Sequence, residues 1–377
     1  MPARGGNIET PPWGEWAGAR EHFEALLDRC VVLGASDLHL SVGHPPWYRV
    51  DGRLRPAEEA PLSAARILAM AEAVMSEQQR REFAAQWTAD LGHSTAGGRR
   101  FRLNCYQELG RPVIAARYLD QTIFSLEELG LPERLRDLAY LRSGLVLITG
   151  TTGSGKSSTL AVLLDEINRN RDCHILTVED PVEFIHHSQR SLVHHREVGR
   201  DVSSFAAAVR AAMREDPDVI MVGEMRDQET MQASIIAAET GHLVFSTLHT
   251  GEAVGAIERF IGCFSGEEQG VARHRISMVL RAVVAQRLAP RASGTGRVPV
   301  VELLMVNTAA INLIQGAKTR QLYSMMESGS RDGMWTLDQE LARLVKNAMI
   351  DQALAMELCN DKASLLKHLN VAGGERR

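Results

Sequence analysis

Residues Gly150–Ser157 read G-T-T-G-S-G-K-S and have the residue types and spacing of a phosphate-binding loop. The apolar run Leu145–Thr149 precedes the loop, and a helix is predicted to begin at Lys156. In such a unit, backbone N–H groups and the positive end of the helix dipole face an anion. Lys156 can reach the β- and γ-phosphates of a nucleoside triphosphate, and the Ser157 hydroxyl can bind Mg²⁺. The predicted nucleotide-binding residues are Gly150, Thr151, Thr152, Gly153, Ser154, Gly155, Lys156, Ser157 and Ser158.

Two carboxylates follow the next two apolar runs of the chain. A triphosphate hydrolase needs one carboxylate to orient and activate water and others to hold the hydration shell of Mg²⁺. Glu224 is the candidate for the first task, but Gly223 stands where a metal-holding aspartate is usual. We therefore expect Mg²⁺ to be held through Ser157, phosphates and water, with Glu179 assisting. The alternative for both glutamates is an ordinary solvated loop acid.

Histidines and arginines supply the remaining candidates. His242 precedes a predicted strand and His249 follows it, which places His249 at the predicted catalytic edge as a sensor of γ-phosphate. A packed, hydrogen-bonded role is the alternative for either imidazole. An arginine could neutralise charge on the γ-phosphate, including one donated by a neighbouring subunit. The candidates are Arg100, Arg102, Arg111 and Arg117 in the N-terminal part, and Arg210, Arg214 and Arg226 further on.

The elements that must position these residues form a repeating pattern from about residue 133 to 377. Apolar runs alternate with helical segments, which predicts a parallel sheet whose strand ends meet at one edge. From about residue 264 the pattern is mostly helical, interrupted by the Gly/Pro loop Ala289–Pro299. The predicted strands are Leu145–Thr149, Ile175–Val178, Val219–Val222 and Leu243–Thr247.

The N-terminal part has a different pattern. Residues 1–20 resemble a flexible leader, residues 21–119 a small α+β domain, and residues 120–132 a linker with a capping-box spacing at Ser125 and Glu128. One long helix is predicted over Ala64–Gln86. The predicted strands are Asp37–Ser41, Trp47–Val50, Arg100–Tyr106 and Val113–Tyr118.

Composition narrows the class of protein. The 377 residues are 45% hydrophobic and 24% charged, with a net charge of −5, so the chain is globular and has no global attraction to nucleic acid. Five dispersed cysteines without a CxxC pair argue against a zinc site and against a disulfide framework, and suit a reducing cytosol. No apolar run approaches the roughly 18 residues of a membrane span. We expect a cytoplasmic protein that reaches a membrane only through partners.

Two histidine pairs follow the second predicted strand of the sheet. His186-His187 and His194-His195 suggest either a metal site or a solvated loop that responds to pH. The loop is the preferred interpretation, with four imidazoles that gain charge together on mild acidification.

Four ordered segments carry a resemblance to a known family. They are the phosphate loop extended to G-T-T-G-S-G-K-S-S-T, T-V-E-D-P-V-E-F-I-H, R-E-D-P-D-V-I-M-V-G-E-M-R-D and A-E-T-G-H-L-V-F-S-T-L-H-T. Further matches are S-D-L-H-L-S, R-R-F-R-L-N and G-M-W-T-L-D-Q. With these segments, residues 35–342 resemble the PilT/PilU family of type IV pilus retraction (twitching motility) ATPases within the secretion ATPase superfamily.

The resemblance implies an α/β fold in which a PAS-like N-terminal domain precedes a RecA-like ATPase domain with a helical C-terminal region. It implies ATP and Mg²⁺ as ligands and a homohexameric motor that powers pilus disassembly and twitching motility. It further implies a cytoplasmic location peripheral to the inner membrane at the pilus base, with an inner-membrane pilus platform protein as partner. A paralogous retraction ATPase is left open as a second partner.

The family roles fall on particular positions of this chain. They imply that Glu179 belongs to the Asp box, Glu224 is the catalytic acid, and His242 and His249 form the His box. Arg102 and Arg117 match arginines that such families use near the nucleotide.

One segment departs from the family pattern. Retraction ATPases carry A-I-R-N-L-I-R-E where residues 309–316 read A-A-I-N-L-I-Q-G, so Ile311, Gln315 and Gly316 replace two arginines and a glutamate. Two alternatives stay open. One is an accessory subunit with little hydrolysis of its own. The other is an assembly or secretion ATPase, which the missing tetracysteine zinc insertion disfavours.

Overall fold

The computed structural model describes residues 18–370, and they form two compact units. The N-terminal unit contains the described residues up to 122 together with 180–185 and 197–203. The C-terminal unit contains 123–179, 186–196 and the described residues from 204 onward. The predicted leader falls almost entirely outside the described residues, and the first helix begins at Ala19. The limits 21–119, 120–132 and 133–377 remain sequence-based predictions.

The N-terminal unit has an antiparallel sheet with helices packed on a shared apolar core. Within the described residues its sheet has the order β3-β2-β1-β6-β5-β4. The core includes Phe23, Leu38, Met70 and Phe101, all fully buried. The helices are α1 (Ala19–Val32), α2 (Ala64–Val74) and α3 (Glu77–Gln86), and the strands are β1 (Ala35–Leu40), β2 (Trp47–Val50), β3 (Arg53–Pro56), β4 (Thr88–Ser94), β5 (Arg100–Glu108) and β6 (Arg111–Leu119).

The four predicted strands of this unit are confirmed as β1, β2, β5 and β6, whereas the single long helix is wrong. The chain leaves the helix after Val74, and Ser76 begins α3 with a capping box to Gln79. The Ser76 hydroxyl accepts from the Gln79 amide, and the Gln79 side chain accepts from the Ser76 amide. This reciprocal cap satisfies the amides of a new helix, so it separates α2 from α3.

A buried ion pair fastens part of the N-terminal unit. Arg100 of β5 pairs with Glu197, and each side chain is only 4% exposed. Arg100 also donates to the Val182 carbonyl at 3.1 Å, while Glu197 accepts from the Val182 amide at 3.1 Å. Gly92 lies against the guanidinium, where a Cβ would overlap it. The pair therefore attaches the chain around Val182 to the sheet of this unit.

The C-terminal unit is built on a larger sheet flanked by helices. Its strands are β7 (Gly144–Thr149), β8 (His174–Glu179), β9 (Leu192–Glu197), β10 (Val219–Val222), β11 (Leu243–Leu248), β12 (Leu280–Pro290) and β13 (Arg297–Met305). Its helices are α4 (Leu126–Leu129), α5 (Lys156–Asn170), α6 (Phe205–Ala212), α7 (Gln228–Glu239), α8 (Ala253–Gly262), α9 (Gln269–Val279), α10 (Thr308–Gln315), α11 (Gln321–Ser328), α12 (Leu337–Lys346), α13 (Gln352–Leu358) and α14 (Lys362–Asn370). Short 3₁₀ segments lie at Glu133–Tyr140 and Ser330–Asp332.

The larger sheet has the order β13-β12-β7-β11-β10-β8-β9 among the described residues. Strands β12, β7, β11, β10 and β8 run parallel. Every residue of β7, β10 and β11 is buried, as expected for strands covered on both faces. The four predicted core strands are confirmed, and their carboxyl ends meet at one edge of the sheet.

The prediction of a mostly helical region from residue 264 is wrong in one respect. Leu280–Met305 forms the antiparallel hairpin β12–β13, which extends the sheet beside β7, and the predicted Gly/Pro loop covers its turn. The predicted capping box at Ser125 is confirmed, since Ser125 and Glu128 exchange hydrogen bonds at the start of α4. Within residues 18–370, no helix is both long enough and apolar enough to cross a bilayer.

A buried carboxylate joins two helices of this unit. Glu302 of β13 is 1% exposed. One of its oxygens accepts from the Ala253 amide at 2.7 Å and the other from the Leu337 amide at 3.2 Å. These are the first amides of α8 and α12, which the helices themselves leave without acceptors. Glu302 therefore caps both helices, and its burial raises the pKa of the carboxyl above its ordinary value.

Candidate functional site

The phosphate loop lies between β7 and α5, as the sequence predicts. Gly150, Gly153 and Gly155 have positive φ angles of 155°, 78° and 88°, which glycine adopts without strain. The buried ammonium of Lys156 donates to the Gly150 carbonyl at 2.8 Å and the Thr151 carbonyl at 3.0 Å. Lys156 is thus already folded over the loop, at the position from which it would meet phosphate oxygens.

Gln286 of β12 forms hydrogen bonds to this loop and to the first turn of α5. Its amide donates to the Ser154 carbonyl at 2.8 Å and its oxygen accepts from the Thr159 hydroxyl at 2.7 Å. A Cβ on Gly155 would come within 2.8 Å of the Gln286 amide nitrogen, and the φ angle of 88° would strain any residue with a side chain. Sequence reasoning missed Gln286 because its segment was predicted to be helical and no local motif marks it.

Two threonines position the loops that follow the neighbouring strands. The Thr250 amide donates to the Thr149 hydroxyl at 2.9 Å, which holds the end of β11 beside the phosphate loop. The Thr247 hydroxyl donates to the Gly223 carbonyl at 2.6 Å, which ties the end of β10 to β11. Because both contacts use backbone groups, they fix the direction in which the residues after each strand project.

Glu224 and His249 come together at this edge. The Glu224 carboxylate lies 3.1 Å from His249 Nε2 and 2.5 Å from Arg226 Nε, and it is only 16% exposed. His249 and Arg226 each lie against a different oxygen of the carboxylate. Arg226 was one of several arginines considered from the sequence, and the structure gives it this contact. Arg210 instead lies 3.7 Å from Glu229.

Glu179 lies next to the glycine at position 223. A Cβ on Gly223 would lie 3.5 Å from Glu179 Cα and 3.7 Å from its Cγ. The Gly223 amide donates to the Val178 carbonyl at 2.8 Å, which fixes this close approach. The carboxylate of the neighbouring strand thus lies beside the position where a metal-holding aspartate is usual. Carboxylate and hydroxyl oxygens suit Mg²⁺, so the residues present fit that ion.

The structure does not bring His242 to this edge. It lies at the other end of β11, where its Nδ1 contacts the Ala237 carbonyl at 2.9 Å and the Thr240 hydroxyl at 3.1 Å. His242 thus contacts a carbonyl in the last turn of α7, and the length of β11 separates it from His249.

Arg102 and Arg117 lie opposite each other on β5 and β6 of the N-terminal unit. Each is held by a carboxylate of the same unit. Arg102 Nε donates to Asp90 at 3.0 Å, a hydrogen bond that raises the pKa of the guanidinium, and Arg117 Nε donates to Asp37 at 2.9 Å. Both side chains remain partly exposed, Arg117 more so.

The interpretation of the histidine pairs as one solvated loop is wrong. His194 and His195 belong to β9, and His186 is buried. Burial, together with the nearby His195 and His187, lowers the pKa of His186 to about 4. His187 is exposed. The four imidazoles therefore cannot gain charge together, because one of them is withdrawn from solvent.

A cavity of 370 Å³ adjoins the start of α5 within the C-terminal unit. Gly155 and Ser158 of the phosphate loop line it, together with the apolar side chains of Leu129 and Leu288. Arg291 also lines the cavity. The cavity is therefore lined by both apolar and charged side chains and is continuous with the phosphate loop.

A phosphate loop after one strand of a parallel sheet, with a glutamate after another strand at the same edge, defines a P-loop nucleoside-triphosphate hydrolase. Within that class, the chain belongs to the type II/IV secretion system protein family, whose family model matches residues 19–331.

Relatives and solved structures agree with this assignment. The chain is 43% identical over 332 residues to the type IV pilus retraction ATPase PilT of Pseudomonas aeruginosa, covering 88% of this chain and 96% of the relative. It is 39% identical over 348 residues to the type IV pilus ATPase PilU of the same organism, covering 92% and 91%. A crystal structure of the pilus retraction motor PilT with bound ADP matches with a TM-score of 0.83 at 41% identity, covering 91% of this chain and 98% of the other. The predicted α/β ATPase fold is thereby confirmed.

Proposed function

We propose that this protein is a hexameric ATP-hydrolysing motor that powers type IV pilus retraction and twitching motility. The observation that carries the proposal is the convergence of Lys156, Glu179, Glu224 and His249 at one sheet edge, in a chain 43% identical to a pilus retraction ATPase. The fold suits a motor because the C-terminal sheet carries the residues for ATP hydrolysis and the chain has a second compact unit, which could move in response.

The nucleotide is ATP, with its phosphates on the loop of residues 150–158. Lys156 exchanges its loop carbonyls for the β- and γ-phosphates, and the loop amides bind the remaining oxygens. The cavity beside Ser158 receives the base and ribose. Ser157 and, through water, Glu179 would hold Mg²⁺, which neutralises phosphate charge when bound.

Hydrolysis is the attack of water on the γ-phosphate. Glu224 orients that water and takes its proton, because its carboxylate lies between Arg226 and His249. His249 then reports the presence of γ-phosphate from the same side of the sheet. Arg102 and Arg117 complete the charge neutralisation from a neighbouring subunit, each leaving its own carboxylate to meet phosphate.

The proposed setting is the cytoplasmic face of the inner membrane at the pilus base. The partners are further copies of the same chain and an inner-membrane pilus platform protein, through which force reaches the pilus. The net charge of −5 supports protein partners over nucleic acid.

A second candidate function has one observation in its favour. Helix α10 carries Gln315, which donates to the Ser277 hydroxyl at 3.0 Å, whereas the retraction pattern has arginine there. The similarity to PilU covers 92% of this chain. An accessory ATPase, working beside a paralogous retraction motor, is therefore the alternative.

The test separates binding from hydrolysis and the motor from the accessory subunit. Glu224→Gln should retain ATP binding while kcat falls about 10²- to 10⁴-fold, because shape is kept and the base is lost. Lys156→Ala should lose ATP binding itself. Glu229→Gln, an exposed glutamate on α7, is the matched control and should behave as wild type. Native turnover by Glu224→Gln would refute its catalytic role.

The same proteins are then expressed in a strain that lacks every retraction ATPase. Restored twitching by wild type, and none by Glu224→Gln, is the result expected for a primary motor. Restoration only when a paralogous motor is also present would favour the accessory function.

A further inference from the structure

An imidazole that no sequence motif assigned lies beside Glu179. His195 is on β9, the strand next to β8, and its Nδ1 is 2.8 Å from the Thr177 hydroxyl and 3.9 Å from Glu179 Oε1. Thr177 and Glu179 are two residues apart on β8, so both project from the same face. His195 therefore contacts the face of β8 that carries the carboxylate.

Both ring nitrogens of His195 have polar partners. The His186 amide donates to Nε2 at 3.0 Å, and the His186 carbonyl lies 3.3 Å from the same nitrogen. Nδ1 lies 2.8 Å from the Thr177 hydroxyl. These contacts hold the imidazole with Nδ1 toward the side on which Glu179 lies.

The ring of His195 is also held in place by packing. It stacks on His186 with the ring planes 18° apart and centroids 5.9 Å apart, and its side chain is only 17% exposed. His186 is 5% exposed, so the stacking partner is itself anchored in the protein. With both nitrogens engaged and one face covered, the imidazole has a single orientation.

Glu179 is consequently bounded on two sides. Position 223, after β10, lies beside its Cα and Cγ, and His195 of β9 lies 3.9 Å from its carboxylate. A carboxylate confined in this way needs little reorganisation when it takes up its role, which favours catalysis.

We propose that His195 is a positioning residue of the ATPase reaction that acts through Glu179. It limits the positions open to the carboxylate by the approach of its ring, whose Nδ1 lies 3.9 Å from Glu179 Oε1, without touching the nucleotide. This inference rests on the proposed function, because Glu179 has a catalytic task only if the edge hydrolyses ATP.

The neighbouring residue supplies a matched control. His194 is exposed on the same strand and its Nδ1 lies 3.0 Å from His174 Nε2, at the start of β8. Successive residues of a strand face opposite sides of the sheet, so His194 shares the strand of His195 but not its contact with Glu179.

The test measures steady-state ATP hydrolysis by full-length variants. His195→Ala should lower kcat about tenfold and leave KM for ATP within about twofold, because the phosphate loop is untouched. His195→Gln should retain most of kcat, since a terminal amide offers both an acceptor oxygen and a donor nitrogen. His194→Ala should match wild type. In a Glu179→Gln background, adding His195→Ala should cause no further loss.

Each contrary result has a distinct meaning. Native kcat in His195→Ala, with a low kcat in Glu179→Gln, would overturn the inference and leave the proposed function standing. Equal fold losses in the presence and absence of Glu179 would show that His195 acts otherwise, which also overturns it. Native kcat in Glu179→Gln would remove Glu179 from the reaction altogether. Should His195→Ala fail to fold, loss of kcat in the folded His195→Gln protein would contradict the inference.

Discussion

The buried imidazole of His186 makes the C-terminal unit sensitive to mild acid. Its pKa is lowered to about 4, chiefly by burial. In the unfolded chain a histidine titrates near pKa ~6.5. Between these values the unfolded chain binds a proton that the folded chain excludes, so protonation favours unfolding. The stability associated with neutral His186 is therefore complete above pH ~6.5 and is lost as the pH falls toward 4.

We expect wild-type protein to lose about 2 kcal/mol of unfolding free energy from this residue between pH 7 and pH 5. His186→Met, which keeps a buried side chain without an ionisable group, should show a smaller loss across the same range. His187→Met, at the exposed neighbouring position, should follow wild type. Denaturant unfolding at each pH measures the difference. Parallel profiles for His186→Met and wild type would contradict this assignment.

At the scale of an element, the pair formed by Arg100 and Glu197 determines how the segment around Val182 is held. Removing one partner of a buried ion pair leaves an uncompensated charge and typically costs about 3–5 kcal/mol. Arg100→Met should therefore strongly lower the unfolding midpoint of the protein. The double variant Arg100→Met/Glu197→Leu should recover part of the loss, because no charge then remains buried.

Arg102→Met is the matched control on the same strand, two residues further. Its partner Asp90 is about one-third exposed, so its loss should cost less than about 1 kcal/mol. Thermal unfolding of the three variants against wild type measures these effects. If Arg100→Met and Arg102→Met lower the midpoint equally, the buried pair has no special contribution.

The elements also show what sequence patterns can and cannot reveal. β10 was predicted at Val219–Val222 and is found there, because a buried strand must be apolar at every position. β12 reads L-R-A-V-V-A-Q-R-L-A-P, rich in helix formers, and it is a strand because it pairs with β7 and β13. That pairing is a tertiary effect, so Gln286 and its support of the phosphate loop could not be predicted from local pattern.

The candidate site residues likewise include some that the local sequence pattern predicts and some that it does not. The phosphate loop directly follows an apolar run, and Glu224 follows one after a single glycine, which makes their place at the sheet edge predictable. His195 lies in a polar segment of an edge strand, where no apolar alternation marks the strand. The break between α2 and α3 is different, since the capping residues Ser76 and Gln79 are visible in the sequence.

At the scale of the whole molecule, the proposed ring predicts that active sites are shared between subunits. Glu224→Gln and Arg102→Ala should each abolish most hydrolysis as pure proteins. In rings mixed from equal amounts, a subunit with intact Glu224 can face a neighbour with intact Arg102 at roughly a quarter of the interfaces. We expect ATP hydrolysis to recover to a comparable fraction of wild type.

The control mixes Glu224→Gln subunits with subunits that carry both Lys156→Ala and Arg102→Ala. No interface in such rings has all three residues intact, so the mixture should stay inactive. Arg117→Ala is examined in the same way. Absence of recovery in the Arg102 mixture, with mixed rings demonstrated, would show that the arginine serves its own subunit.

Glu302 couples the stability of two helix starts, those of α8 and α12, within the C-terminal unit. Its two oxygens secure the first turns of α8 and α12, and α8 begins only four residues after His249. Opening of either helix start releases a buried carboxylate and so weakens the other. Amide hydrogen exchange at the two helix starts should therefore be correlated. Glu302 thus couples α12 to the segment after His249 without involving the nucleotide. A protein bound at α12 could therefore alter the rate of hydrolysis.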